Sequence, residues 1–185
     1  MPPFHRSDFA LVAGLALLVA GCGPRPATVR PPAPIALDAL LGFSDPARCR
    51  VTADHARFLA AMVAGDGRGA VRAGRIDAPP ALAAAFGPVT ARRTDGYWVV
   101  GTSVSGTLYG LPLGRIDHAL PEGGDAGDVT YRFDVPAAAA ATTLRRRGFP
   151  VTAGRSTPID GGDLVMTLVA NPRNPDFSLF GCGHE

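Results

Sequence analysis

The last hundred residues of the chain alternate between strand-like and helix-like patterns of apolar positions. Residues 129–135 place apolar and polar side chains in strict alternation, which predicts a strand with one buried face. Two strands at 89–94 and 97–104 are predicted to be joined by the two-residue hairpin signal Asp95-Gly96. Further strands are predicted at 107–120, after a turn at Ser105-Gly106, and at 149–153 and 164–170.

Helical spacing dominates earlier in the chain and recurs once within the strand region. Thr52 is a candidate N-cap for a helix over 52–63, which would gather apolar side chains on one face. Shorter helices are predicted at 35–41 and 80–86. Pro136 occupies a favoured first position for a helix over 136–147, and Gly148 would end it.

The order of these elements predicts an α+β fold. N-terminal helices are followed by a mostly antiparallel sheet that one helix, at about 136–147, crosses. The tail 171–185 contains two prolines and shows no clear period, although its apolar residues indicate that it packs. A length of 185 residues favours a single folded domain.

Charge and composition exclude some classes of partner. Hydrophobic residues make up 46% of the chain, which is typical of a globular protein and not of a disordered one. All 18 basic residues are arginines, and the net charge is only +2. Because these arginines are scattered, apart from the run 145–147, we do not expect the protein to bind nucleic acid.

The N-terminus has the pattern of an export signal. An apolar stretch at 9–20 follows His5 and Arg6, and it is shorter than the roughly 20 residues that span a membrane. The stretch closes with the tetrapeptide Val19-Ala20-Gly21-Cys22. This tetrapeptide resembles the lipobox of bacterial lipoproteins, in which the cysteine receives lipid and becomes the first residue of the mature protein.

The resemblance implies a membrane anchor at Cys22 and covers residues 1–22 only. Multiple acyl chains on one residue hold a protein stably at a bilayer, which explains how such an anchor works. An aspartate after the lipidated cysteine tends to retain such lipoproteins at the inner membrane. Here that position is Gly23, so the resemblance implies an outer-membrane protein that faces the periplasm, with palmitate among its lipids.

The segment that follows predicts a spacer. Residues 23–34 contain five prolines among twelve residues, which disfavours helix and favours the extended polyproline II conformation. At about 3.1 Å per residue, this spacer would reach roughly 37 Å from the membrane. The sequence therefore predicts a signal peptide at 1–21, a lipidated and proline-rich tether at 22–34, and one periplasmic domain at 35–185.

The remaining cysteines predict a disulfide bond. With Cys22 assigned to lipid, only Cys49 and Cys182 remain. An even remainder in an exported chain favours one disulfide, because the periplasm is oxidising. A shared metal site is the alternative, but these cysteines lack a zinc-ligand spacing. We expect neither a metal nor a cofactor, and we identify no catalytic residues. Asp117 and His118, adjacent on a predicted strand, would point to opposite faces and could not act as an acid–base pair.

Two features are candidates for partner binding. Tyr97 and Trp98 lie side by side on a predicted strand, so one of them faces away from the core and could anchor a partner. Arg145, Arg146 and Arg147 form a basic run that could attract an anionic surface, although three cations at a helix end also complement the helix dipole. If both features belong to one surface, the arginines would steer a partner and the aromatic residue would supply affinity.

These observations favour a non-enzymatic lipoprotein whose periplasmic domain binds another component of the cell envelope, either a protein or a polymer. The alternative is a small periplasmic inhibitor or ligand-sequestering protein. A hydrolase is the third hypothesis, and it requires a site assembled from distant residues.

Overall fold

The computed structural model describes residues 33–65, 70–122 and 127–184. The α-helices within these ranges are α1 Ala53–Met62, α2 Pro80–Ala83 and α3 Ala137–Arg146. The strands are β1 Phe43–Asp45, β2 Arg50–Val51, β3 Val63–Gly65, β4 Val71–Ala73, β5 Thr90–Thr94, β6 Tyr97–Leu108, β7 Leu111–Pro121, β8 Asp128–Phe133, β9 Arg155–Ile159, β10 Leu164–Asn171 and β11 Asn174–His184. Short 3₁₀ turns occupy Pro46–Arg48 and Asp160–Gly162.

Seven of the strands form one antiparallel sheet in the order β5-β6-β7-β8-β11-β10-β9. Two small antiparallel ladders, β1-β2 and β3-β4, stand apart from it. Strand side chains alternate between the two faces of a sheet. One face carries the buried residues, such as Ile116, Tyr131 and Phe180, and we call it the inner face. Its opposite, the outer face, carries half-exposed residues such as Arg115, Arg132 and Leu179.

Helix α1 packs on the inner face because its apolar positions follow the helical period. The Thr52 hydroxyl accepts a hydrogen bond from the backbone N–H of His55 at 3.3 Å, which confirms Thr52 as the N-cap. The buried side chains of this helix are His55, Phe58, Leu59 and Met62, at spacings of three, four and seven residues.

Helix α3 follows Pro136 and confirms the helix predicted at 136–147. Its buried face is built from small residues and ends at Leu144. Small side chains let the helix approach β10 and β11, which it contacts. Gly148 then takes a positive φ of 92°, a conformation that glycine adopts without strain, and the helix ends.

The predicted α+β arrangement is wrong. The described residues are mostly strand, dominated by the seven-stranded antiparallel sheet, and the helices do not form an N-terminal block. Residues 35–41, predicted as a helix, hold only a turn and an isolated bridge from Ala36 to Thr107 of β6. The local apolar pattern there reflects burial of Leu37, Leu40 and Leu41 under the sheet.

The turn predicted at Ser105-Gly106 is also wrong, because β6 continues to Leu108. A Cβ atom on Gly106 would lie 2.7 Å from the backbone carbonyl oxygen of Ile35, so this glycine allows a neighbouring segment to approach. The chain turns at Tyr109-Gly110, where both residues have positive φ. The hairpin predicted at Asp95-Gly96 is confirmed, with φ values of 48° and 80°.

The C-terminal tail differs most from its prediction. It forms β11, which lies between β8 and β10 inside the sheet. Residues 149–153 were predicted as a strand but have no regular structure, and β9 begins at Arg155. Leu179, half-exposed on the outer face, and Phe180, buried on the inner face, are adjacent apolar residues, so this strand lacks the apolar–polar alternation that would have predicted it.

Candidate functional site

Tyr97 and Trp98 face opposite sides of the sheet, as predicted for neighbours on a strand. Trp98 is half-buried and packs against the hydrophobic core. Tyr97 is 44% exposed on the outer face, and it is the one large hydrophobic side chain exposed within the described ranges. Tyr97 is therefore the aromatic residue of this pair that is accessible to a partner.

The outer face around Tyr97 is apolar and has a charged rim. Tyr97 lies opposite Pro121, and Val99 lies opposite Ala119. We call these four residues the Tyr97 patch. At its edge Arg92, which lies opposite Val99 on β5, places an exposed charge on the same face. Arg93 lies opposite Trp98 and therefore on the other face, where its Nη2 donates a hydrogen bond to the Glu122 carboxylate at 2.8 Å. An aromatic residue with apolar neighbours and a polar rim is the usual composition of a protein-binding surface.

Arg145, Arg146 and Arg147 lie at the C-terminal end of α3, and all are exposed. The Arg147 guanidinium stands over the ring of Tyr109, 5.3 Å from its centroid. Tyr109 follows the end of β6, whereas Tyr97 begins it. A strand rises about 3.3 Å per residue, so the twelve residues of β6 separate the two features by roughly 35 Å. The structure does not bring the two predicted partner-binding features together.

The predicted disulfide between Cys49 and Cys182 is present. It joins the loop between β1 and β2 to the sheet, with 6.0 Å between the Cα atoms. Beside it a cavity of about 240 Å³ opens between the β1-β2 hairpin, α1 and the end of the sheet. We call this cavity the cleft.

His118 supplies a polar group to the wall of the cleft. Its Nδ1 atom is buried and has no hydrogen-bond partner among the described residues. Burial lowers the pKa of His118, and the charge of Asp128 opposes that shift. A Cβ atom on Gly127 would lie 2.7 Å from Nε2, so the glycine backbone packs against the ring. His118 is half-buried in the wall of the cleft, on the inner side of the sheet.

A second histidine, His55, is fully buried beside the cleft. Its Nδ1 donates a hydrogen bond to the carbonyl oxygen of Gly42 at 3.2 Å. Its Nε2 accepts one from the hydroxyl of Tyr131 at 3.0 Å. Burial lowers the pKa of His55 to about 4, so the ring is neutral at pH 7. The spacing of His55 to Phe58, Leu59 and Met62 already indicated that it lies on the buried face of α1.

Aromatic rings surround His55 and Tyr131. Phe43 makes edge contacts with both, at centroid distances of 5.4 and 5.9 Å. Phe43 also packs edge-on against Phe149 at 5.0 Å, and Phe180 stacks near Tyr131. We call these five residues the aromatic layer. Both ring nitrogens of His55 are satisfied, one by Gly42 and one by Tyr131, which is the arrangement of a structural histidine.

Asp117 and His118 lie on opposite faces of β7. Asp117 faces outward and accepts hydrogen bonds from Arg115 at 2.7 and 2.9 Å, whereas His118 lines the cleft. The prediction that this adjacent pair points to opposite faces is confirmed. Within the described ranges no cluster of three or more histidine, cysteine, aspartate or glutamate side chains could hold a metal ion.

A larger depression, of about 370 Å³, lies between α1 and the segment 77–82. Two charged residues at its rim neutralise each other, since Arg57 pairs with Asp54 at 2.5 Å.

No α-helix in the part of the chain that the structure describes is long and apolar enough to cross a membrane. Comparisons with protein-family models, with curated proteins and with solved structures found no match.

Proposed function

We propose that this protein is an exported bacterial lipoprotein, anchored through Cys22, whose domain binds another protein of the cell envelope through the Tyr97 patch. The observation that carries the anchor is the tetrapeptide at 19–22 directly after the apolar stretch 9–20. The Cys49–Cys182 disulfide supports export, because such bonds persist in oxidising compartments and are rare in the cytosol.

The anchor is tested by comparing two substitutions at neighbouring positions. Cys22→Ser removes the acceptor of the lipid, and Gly23→Ser, the matched control, changes the next residue and leaves the thiol in place. In bacteria fed labelled palmitate, we expect label in the parent chain and in Gly23→Ser but none in Cys22→Ser. Incorporation of label into Cys22→Ser would contradict the assignment.

A substitution at Gly23 tests whether the protein is delivered to the outer or the inner membrane. The lipoprotein resemblance implies delivery to the outer membrane, because the residue after Cys22 is not aspartate. We expect the parent chain in the outer-membrane fraction of a density gradient and Gly23→Asp in the inner-membrane fraction. An inner-membrane location of the parent chain would overturn this part of the proposal.

The Tyr97 patch is the surface that supports partner binding best. The inner face is covered by the packed helices and loops, whereas the outer face leaves Tyr97 accessible. The ring can bury both an apolar body and a polar hydroxyl against a partner, a property that makes tyrosine frequent at interfaces. The patch is small and rimmed by charge, which favours a protein partner over an acyl chain or a bilayer.

Site-specific crosslinking tests this surface in cells. A photoreactive phenylalanine analogue replaces Tyr97 in one variant and Thr167 in a matched control. Thr167 lies half-exposed on the same face, four strands away from β6 in the sheet order. We expect a discrete crosslinked product from position 97 alone. The same products from both positions, or none from position 97, would contradict the proposal.

The arginine run 145–147 provides a further control in the same assay. It lies roughly 35 Å from Tyr97 along β6. A protein–protein interface of standard size buries about 800 Å² on each partner, so one centred on Tyr97 would not extend to the arginines. We expect Arg145→Gln, Arg146→Gln and Arg147→Gln together to leave the crosslink at position 97 unchanged. Loss of the crosslink in this triple variant would show that both features serve one surface.

A further inference from the structure

The cleft beside the disulfide is apolar and has walls from distant parts of the chain. Phe43, Val51 and Leu59 line it from the hairpin and α1. Val129, Ile159 and Leu164 line it from the end of the sheet. The Cys49–Cys182 disulfide contributes to the same wall and ties the two sides together.

The volume of the cleft suits a small molecule. An apolar cavity of about 150 Å³ inside a protein stays dry and binds benzene. The cleft measures about 240 Å³, which is enough for a substituted ring or a short aliphatic chain.

The cleft also contains hydrogen-bonding capacity that the described residues do not use. Tyr131 reaches the wall, but its hydroxyl is bonded to His55. His118 lines the same wall, and its buried Nδ1 has no described partner. Buried polar atoms are normally hydrogen-bonded, so the unpartnered Nδ1 marks the imidazole of His118 as the group in the cleft wall that a ligand would satisfy once the ring turns this nitrogen toward the cleft.

We propose that the cleft binds a small uncharged amphiphile, a ring or short chain with one hydroxyl group, with that hydroxyl hydrogen-bonded to the imidazole of His118. A hydroxyl both donates and accepts, so it complements either tautomer of a neutral histidine. A carboxylate would lose hydration in the apolar cleft and would be repelled by nearby Asp128. This site lies on the inner side of the sheet, and the proposal does not depend on the Tyr97 patch or on the anchor.

Three probes with one ring and different substituents test the proposal. They are 4-fluorophenol, 4-fluorotoluene without the hydroxyl, and 4-fluorobenzoate with a charge. Each is titrated against the full chain in lipid nanodiscs by fluorine NMR, and empty nanodiscs of the same lipid correct for partitioning. We expect saturable binding of 4-fluorophenol, weaker binding of 4-fluorotoluene, and the weakest binding of 4-fluorobenzoate.

Two substitutions place the binding in the cleft. His118→Phe removes the hydrogen bond, and we expect it to weaken 4-fluorophenol about tenfold while 4-fluorotoluene is unaffected. Leu164→Phe adds a ring to the wall, and we expect it to exclude both probes. Leu179→Phe, on the outer face of β11, is the matched control and should bind as the parent does. Thermal melts of each variant confirm that it is folded.

Several results would overturn the proposal. No saturable binding to the parent chain would remove the site. Equal binding of 4-fluorophenol to a folded Leu164→Phe variant would place the ligand elsewhere. Equal affinity for 4-fluorophenol and 4-fluorotoluene would exclude the hydroxyl contact, and tighter binding of 4-fluorobenzoate would exclude an uncharged ligand. A folded His118→Phe variant that binds 4-fluorophenol as the parent does would exclude His118 as the partner.

Discussion

The aromatic layer and the cleft lie side by side beneath the same sheet, and each contains a histidine with a lowered pKa. In the aromatic layer, His55 has a partner for both ring nitrogens. In the cleft, His118 leaves Nδ1 without a described partner and borders open space. Burial lowers the pKa of both residues, so the pKa alone does not separate them. The hydrogen bonds separate the two residues, because His55 has both of its partners within the protein and His118 does not. We therefore regard His55 as structural and His118 as the proposed ligand contact.

The two regions are also held together in different ways. Rings packed at centroid distances of 5.0 to 5.9 Å around Phe43 hold the aromatic layer. The cleft shares Phe43 and Tyr131 with that layer, and the covalent bond between Cys49 and Cys182 adds to its wall. Changes to the crosslink, to the protonation of the histidines and to single hydrogen bonds are therefore expected to affect the two regions unequally.

Removing the disulfide is expected to have the largest effect on the stability of the domain. The disulfide closes a loop with a sequence separation of 133, and Cys49→Ser with Cys182→Ser is expected to lower the free energy of unfolding by about 5 kcal/mol in the loop-entropy model. Denaturant titration measures this loss. Native-state hydrogen exchange is expected to show the first loss of protection in the β1-β2 hairpin, with later loss around Tyr131.

Cys22→Ser, which removes the cysteine outside the disulfide, is the control for that experiment. It is expected to unfold at the same denaturant concentration as the parent domain. An unfolding free energy of the double serine variant within about 1 kcal/mol of the parent would show that packing alone holds the cleft wall.

Acidification is expected to have the next largest effect. The pKa of His55 falls from 6.5 in the unfolded chain to about 4 in the folded protein, so the unfolded chain binds the proton more readily. The contribution of neutral His55 to the free energy of unfolding is therefore fully present above about pH 6.5. It is lost as the pH falls toward 4, by about 3 kcal/mol in total. The lowered pKa of His118 acts in the same direction.

Urea titrations at pH 7, 5.5 and 4 measure this loss. Carboxylates also titrate in the acidic part of this range. The parent is therefore compared with His55→Phe, which removes the contribution of His55 to the pH dependence. We expect the stability of His55→Phe to depend less steeply on pH. Equal slopes in the two proteins would contradict the assignment of a lowered pKa to His55.

The smallest effects come from single hydrogen bonds and distinguish the two histidines directly. Tyr131→Phe leaves Nε2 of His55 buried without a donor, and we expect a loss of about 1 to 2 kcal/mol in the free energy of unfolding. His118→Phe replaces a polar group that lacks a described partner, and we expect a change within about 0.5 kcal/mol. A greater loss from His118→Phe than from Tyr131→Phe would reverse the comparison.

Local parts of the fold were predictable because neighbouring residues decide them. The N-cap at Thr52 uses a side chain and a backbone N–H three residues apart. The hairpin at Asp95-Gly96 needs two consecutive residues with positive φ. The helix after Pro136 follows from a permitted first residue, a run of alanines and a glycine that ends it.

The candidate sites were predictable only in part. The alternation of a strand showed that Tyr97 and Trp98 face opposite ways, but the packed core determined that Tyr97 is the exposed one. The distance from Tyr97 to the arginines at 145–147 depends on the course of β6 across the sheet, which extends past the glycine that indicated a turn. The cleft had no local signal, because its walls come from β1, β2, α1, β7, β8, β9, β10 and β11.

By itself the sequence determined which two cysteines pair, where helices α1 and α3 begin, where the hairpin at Asp95-Gly96 turns, and which face of α1 is buried. These features depend on residue count, caps and periodicity within a few residues. Only the tertiary structure decided that the tail becomes a central strand, that His118 lies under the sheet and that a cleft remains beside the disulfide. Each of these depends on which distant segments meet, because strand pairing and burial are set by contacts across the whole domain and not by neighbours along the chain.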